Sequence, residues 1–242
     1  MPQPEGRLRV VCIAPAWNEE DRIGPVVSAV PRDVVDQVVV VDDGSTDATG
    51  ERACKAGATV IRGAHSGVGA AIRMGIDYAR QHHYDVAVIV SGGGKTPPEQ
   101  IPQLLAPLEA GAELAQGSRY AAGGEHLRMT LSRKIGTRGY TFLFSLLVRR
   151  RVTDASSGFR AIRLSLFEDQ RMNLWQSWLN GYELEPYLLF KALRLRHKVV
   201  EVPVTIAYPD TSRGQSFTKM RAWSDWYRIF RPVLFLALGL KR

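Results

Sequence analysis

Apolar residues in this chain come in short unbroken blocks, and each block ends in a polar or glycine-rich stretch. Arg9 to Ala16, Val38 to Val41 and Asp85 to Val90 hold the clearest of them. Such runs exceed the alternation of a half-exposed strand and suit central parallel strands covered on both faces. Between and after them the spacing turns helical: it predicts helices from about Asp21, from about Thr49, over Val68 to Gln81, over Tyr140 to Val148 and over Tyr187 to Leu195. Short strands are expected at Thr59 to Arg62 and near Ala112 to Gln116, and a further helical stretch carries Arg133 and Thr137. Strands alternating with helices predict one α/β domain with a mostly parallel, Rossmann-like sheet flanked by helices. Open sheets of this kind bind ligands beyond the carboxyl ends of their strands, which directs attention to the loops after Ala16, Val41 and Val90.

The second of these loops reads Val38-Val-Val-Val-Asp-Asp-Gly-Ser-Thr-Asp-Ala-Thr49. Asp42 and Asp43 emerge at the strand's end, Gly44 permits a tight turn, and Ser45, Thr46 and Asp47 can cap the following helix. Alone, this is either a capped βα turn or a nucleotide-gripping loop. The loop after the first strand carries Pro15, Trp17 and the acidic pair Glu19 and Glu20.

Taken with Gly117-Ser-Arg-Tyr120, Asp154-Ala-Ser-Ser-Gly-Phe-Arg-Ala161 and Glu201-Val-Pro-Val204, these segments resemble the family 2 glycosyltransferases, in the order seen in the dolichyl-phosphate mannose synthase branch. The resemblance covers about the first 205 residues. It implies a GT-A fold and an inverting transfer from a nucleotide-diphosphate sugar, UDP- or GDP-linked, with Pro15, Trp17, Glu19, Val41 and Asp43 holding the nucleoside. It divides the chain into a glycosyltransferase domain over 1–210, whose nucleotide-sugar half runs to about 117 and whose acceptor half follows, and a cover loop with an amphipathic helix over 211–242. In that branch the acceptor is polyprenyl phosphate, and its phosphate contacts match Arg119, Arg133 and Thr137. Arg133 and Thr137 lie four apart on one helix face, where they could grip one phosphate or merely be solvated.

The loop after Val90 departs from the family. Relatives place an Asp-x-Asp there to hold a divalent cation against the diphosphate; this chain has Ser91-Gly-Gly-Gly-Lys95 before Thr96-Pro-Pro-Glu99. Two carboxylates are missing and a cation is added. Either Lys95, with Ser91 and glycine N–H groups, meets the diphosphate directly, or the site has decayed. On the first reading Mg²⁺ or Mn²⁺ is not essential and no cofactor is required. His82 and His83 diverge as neighbours and do not restore a metal site.

Asp154 falls beside the donor sugar in the family pattern, where it could orient a hydroxyl, act as base for a hydroxyl or amine acceptor, or cap a turn. Glu183 and Glu185 open a helix, so capping and site roles both remain. Arg213 and Lys219 stand in for a family segment that folds over the diphosphate, although their spacing is altered. Met220, Trp223, Tyr227 and Phe230 follow at helical spacing, for core packing or for docking on a membrane interface.

Composition changes this picture little. The chain has 242 residues, 45% of them hydrophobic, enough for a large core, and two cysteines without zinc spacing. Its formal charge of +8 favours anionic partners, and no nucleic-acid-binding motif accompanies the charge. No apolar run is long enough to span a bilayer, so the expected place is cytoplasmic, with possible peripheral membrane contact. Three classes stay open: transfer to polyprenyl phosphate, transfer to a soluble small molecule or carrier-bound intermediate, and non-catalytic nucleotide-sugar binding.

Overall fold

The computed structural model describes residues 7–208 and 224–241. Among the described residues nine strands and seven α-helices follow in the order β1 (Val10–Ala16), α1 (Glu20–Ser28), β2 (Gln37–Asp42), α2 (Thr49–Lys55), β3 (Thr59–Arg62), α3 (Val68–Gln81), β4 (Val86–Ile89), α4 (Ile101–Glu109), β5 (Leu114–Ser118), β6 (Glu125–Leu127), α5 (Leu131–Val148), β7 (Arg160–Arg163), α6 (Leu184–Arg194), β8 (Val199–Pro203), β9 (Thr205–Ala207) and α7 (Ser224–Ala237). Seven strands form one sheet in the order β3-β2-β1-β4-β7-β5-β8, and β6 pairs with β9 beside it.

The valine blocks are central strands because both faces of the sheet are covered. Successive side chains alternate faces. Val11, Ile13, Val39 and Val41 enter the core built with α3, α5, α6 and Val233 of α7. Val10, Cys12, Val38 and Val40 enter the core under α1 and α4. The fold is the expected mostly parallel sheet in a single domain. Four strands were not anticipated, β6, β7, β8 and β9, and of these β7 runs antiparallel to both β4 and β5. It brings the segment after Asp154 into the sheet's centre and places Arg160 at the cavity described below.

The helix expected at Tyr140 and the stretch carrying Arg133 are one 18-residue helix, α5. Helix α7 packs back on the body: Phe230 meets Tyr140 edge-on at 6.3 Å between ring centroids, and Val233 is fully buried. Phe230 therefore serves the core, while Tyr227 is exposed. Met220 and Trp223 lie outside the described residues, as do Arg213 and Lys219. Among the described residues, no helix is long and apolar enough to cross a membrane.

Candidate active site

The carboxyl ends of β1, β2 and β4 open into a cavity of about 750 Å³. Its floor is built by loops that lock one another. The Ser45 hydroxyl accepts from the Asn18 backbone N–H, Asn18 Oδ1 accepts from Thr46 N–H, and Thr49 Oγ1 accepts from Glu19 N–H. Ser45 and Thr46 thus tie the first loop to the second rather than cap α2; Asp47 alone takes a first-turn N–H, that of Thr49. Asp43 accepts 2.8 Å bonds from the Ser66 and Gly67 N–H groups, which draws in the loop ahead of α3. That loop sets the His65 ring against Trp17, with centroids 4.4 Å apart and planes inclined by 30°. The result is an aromatic platform beside a carboxylate, suited to a nucleoside.

The loop after β4 forms the next wall. Ser91 N–H donates to Thr96 Oγ1, and Gly94 takes a left-handed φ of 71° as the chain turns. A Cβ at Gly93 would stand 3.1 Å from Glu19 Oε1, so an aspartate there would press a second carboxylate on Glu19. Ser91, Gly93 and Lys95 line the cavity. Among the described residues the Lys95 ammonium makes no hydrogen bond or ion pair. Burial and the neighbouring Arg133 charge lower its pKa, partly offset by Glu19. Such a cation gains from any anion that enters.

Two further cations face the same space from the acceptor half. Arg119, 5% exposed, is gripped by the fully buried Asp154: its Nε reaches Oδ2 and its Nη2 reaches Oδ1, each at 2.7 Å. Burial opposes the guanidinium charge, but the hydrogen-bonded carboxylate outweighs it and holds the pKa above its ordinary value. Arg119 also donates to the Tyr208 hydroxyl. Arg133 stacks on Tyr208, its guanidinium carbon 4.9 Å from the ring centroid, and makes no ion pair among the described residues.

Pro15, Trp17, Glu19, Asp43, Ser91, Lys95, Arg119 and Arg133 therefore converge on one cavity. Three expected residues do not reach it. Val41 is wholly buried under α3, because its place in the strand's alternation turns it to that face. Thr137 turns its hydroxyl to the Arg133 carbonyl and the Tyr120 hydroxyl, so it braces α5 instead of sharing a ligand with Arg133. Asp154 is not an open base: Arg119, Ser156 N–H and Ser156 Oγ consume its carboxylate, and Glu201 fixes its backbone N–H. Glu185, whose place at a helix start suits capping and a site role alike, also lines the cavity. Its neighbour Glu183 is tied elsewhere, 3.2 Å from Arg231 of α7.

A family model described as Glycosyl transferase family 2 matches residues 11–171. Undecaprenyl-phosphate mannosyltransferase of Micrococcus luteus is 31% identical over 82% of this chain and 83% of its own length. Polyprenol monophosphomannose synthase of Mycolicibacterium smegmatis is 30% identical over 88% of this chain and 81% of its own. Among solved structures, glucosyl-3-phosphoglycerate synthase from Mycobacterium tuberculosis, bound to Mn²⁺, UDP and glucosyl-3-phosphoglycerate, superimposes with a TM-score of 0.68 at 20% identity, over 97% of this chain and 81% of that one. That likeness establishes the GT-A fold. The loop after β4 offers a serine, glycines and an ammonium, and among the described residues no group of three or more His, Cys, Asp or Glu gathers to hold an ion.

Proposed function

The chain belongs to glycosyl transferase family 2 and is a glycosyltransferase, and from that premise we propose that it transfers a sugar from a nucleotide-diphosphate sugar to polyprenyl phosphate, with inversion and without an essential metal ion. One observation carries this reading: Lys95, Arg119 and Arg133 line a single cavity, and among the described residues Lys95 and Arg133 make no ion pair. Two anions in one site, a leaving diphosphate and an attacking phosphate, answer that charge.

In this mechanism Trp17, Pro15 and Asp43 hold the nucleoside and Lys95 meets the diphosphate as negative charge grows on it. Ser91 lies beside it in the same loop, and Arg213 and Lys219, outside the described residues, are proposed to cover it. Arg119, set by Asp154, and Arg133 place the acceptor phosphate for in-line attack at the anomeric carbon. A phosphate is already a nucleophile and needs placement more than a base. A soluble or carrier-bound hydroxyl acceptor would need a base, and the residue expected for it, Asp154, is closed in its pair with Arg119.

The outer face of α5 supports the lipid. Leu131, Ile135, Phe142 and Leu146 are 71, 64, 70 and 64% exposed and recur at helical spacing, with Arg138 among them and Arg149, Arg150 and Arg151 at the helix end. An apolar stripe with a basic rim suits the surface of an anionic bilayer. Arg133 projects into the cavity from the same helix. The test is direct: purified protein is incubated with UDP- and GDP-sugars and polyprenyl phosphate, with EDTA or with added Mg²⁺ or Mn²⁺. Glycosylated lipid formed in EDTA supports the proposal. A product that forms only with added metal would remove the lysine role, and product on a soluble acceptor alone would remove the lipid.

A further inference from the structure

Glu185 joins Glu19 and Asp43 as a carboxylate of the cavity that also holds Lys95, Arg119 and Arg133. It sits in the first turn of α6, a favourable place for a negative side chain, and lines the cavity beside Lys95, Arg119, Arg133 and Arg160. Arg160, almost wholly buried, fixes that turn by donating from Nη1 to the Glu185 carbonyl at 2.9 Å and from Nη2 to the Ser157 carbonyl at 2.6 Å. The carboxylate itself lies over Gly158: a Cβ there would stand well inside van der Waals contact of Oε1. Among the described residues neither of its oxygens takes a hydrogen bond or ion pair. A positioned acceptor, held over a residue with no side chain, is therefore left for a ligand.

The ligand cannot be either anion, since a carboxylate repels both. In an in-line transfer between phosphates, the neutral sugar ring lies between the two anions, and its hydroxyls are hydrogen-bond donors. We propose that Glu185 is the sugar-recognition residue of this site, its carboxylate accepting hydrogen bonds from hydroxyls of the donor hexose. This rests on the transferase reading above. The same negative charge also faces the positive charge that develops on the ring as the bond to the diphosphate breaks.

The experiment is calorimetric titration of sugar nucleotides and of the matching nucleoside diphosphates, without acceptor, into the wild type, Glu185→Gln and Gly158→Ala. The wild type is expected to bind a preferred sugar nucleotide. Glu185→Gln should weaken that binding about ten- to a hundred-fold, as loss of a charge-assisted hydrogen bond does. Nucleoside diphosphate should bind the variant equally or slightly more tightly, because a negative neighbour of Lys95 is gone. Gly158→Ala should show the same pattern with the charge retained, because the added methyl displaces the flexible end of Glu185. Unchanged sugar-nucleotide affinity in Glu185→Gln would overturn the proposal, including the case in which turnover falls with loss of an acidic limb in the pH profile, which marks a base. Equal losses for both ligands would overturn it as well. A wild type that binds no nucleotide at all would instead refute the transferase reading itself.

Discussion

Arg119 and Asp154 form a two-pronged ion pair, Nε to Oδ2 and Nη2 to Oδ1 at 2.7 Å, and only the guanidinium side reaches the cavity. The aspartate is the anchor and the arginine the cavity-facing group. Glu201 extends the support by accepting from the N–H groups of Thr153 and Asp154. Asp154→Asn should therefore destabilise the fold and raise the KM for polyprenyl phosphate more than the KM for the donor. Removing one partner of a buried pair costs about 3–5 kcal/mol, and the isosteric amide should fall at the lower end. Thermal melting and initial rates against each substrate check this. A variant with full stability and a loss confined to kcat would restore Asp154 as a catalytic base.

Arg133 and Thr137 separate cleanly, although their spacing put them on one helix face. Arg133→Ala removes a cavity cation without a counter-ion among the described residues and should weaken acceptor binding roughly ten- to a hundred-fold, by the same scale as a charged hydrogen bond. Thr137→Val removes bonds to the Arg133 carbonyl and Tyr120 hydroxyl. It should cost about 1 kcal/mol of stability with little change in acceptor KM. Kinetics with varied polyprenyl phosphate, together with melting curves, distinguish them; equal acceptor defects would mean that both touch the phosphate.

The stripe on α5 should govern membrane contact. Ile135→Glu combined with Phe142→Glu is expected to reduce binding to anionic vesicles by about tenfold or more, because it replaces apolar contact with repelled charge. Nucleotide affinity should not change, since neither residue lines the cavity. Vesicle sedimentation at low and high salt gives the measurement. Undiminished binding would move the contact to another face.

The fold was legible in the sequence wherever burial on both faces wrote an unbroken apolar block, as in Val38 to Val41. Strand β7 was not, because Arg160 and Arg163 interrupt the apolar signal. Arg160 enters the core only because carbonyls of Glu185 and Ser157 receive it, a tertiary fact with no local trace. Eight candidate residues, among them Trp17, Asp43, Lys95 and Arg133, line the cavity, but His65, Arg160 and Tyr208 line it as well and had no signal in the loops at strand ends. The Arg119–Asp154 pair was not legible, since the two residues lie 35 apart and each looked like a ligand in its own right. Glu185 could not be told from Glu183 until the helix start was known. Starting α6 at Leu184, ahead of the expected Tyr187, sends Glu183 to Arg231 and leaves Glu185 at the cavity. The α5 stripe did have a signal, in the spacing of Leu131, Ile135, Phe142 and Leu146. Reading the helix as two segments hid it.

Lys95 offers the sharpest test because its charge is both exposed to titration and central to the proposed chemistry. Lys95→Ala should leave the fold intact and slow single-turnover transfer by about a hundred- to a thousand-fold, as loss of one preorganised electrostatic contact does, or roughly 3–4 kcal/mol. Lys95→Arg keeps the charge without the compact ammonium and should retain partial activity. The pH dependence follows from the direction of its shift. Burial lowers the pKa of the free enzyme's Lys95 below the ordinary 10.5, and a bound diphosphate raises it again. Its contribution to nucleotide affinity is therefore complete below the lowered pKa of the free enzyme and is lost as pH rises through the higher pKa of the complex. Nucleoside diphosphate should bind the wild type progressively less tightly over that alkaline window. In Lys95→Arg the same decline should be absent, because a guanidinium stays protonated there. Titrations across the window, with melting curves to confirm folding, decide it. An alkaline decline shared by Lys95→Arg, or wild-type turnover in Lys95→Ala, would place the charge that meets the diphosphate on another residue.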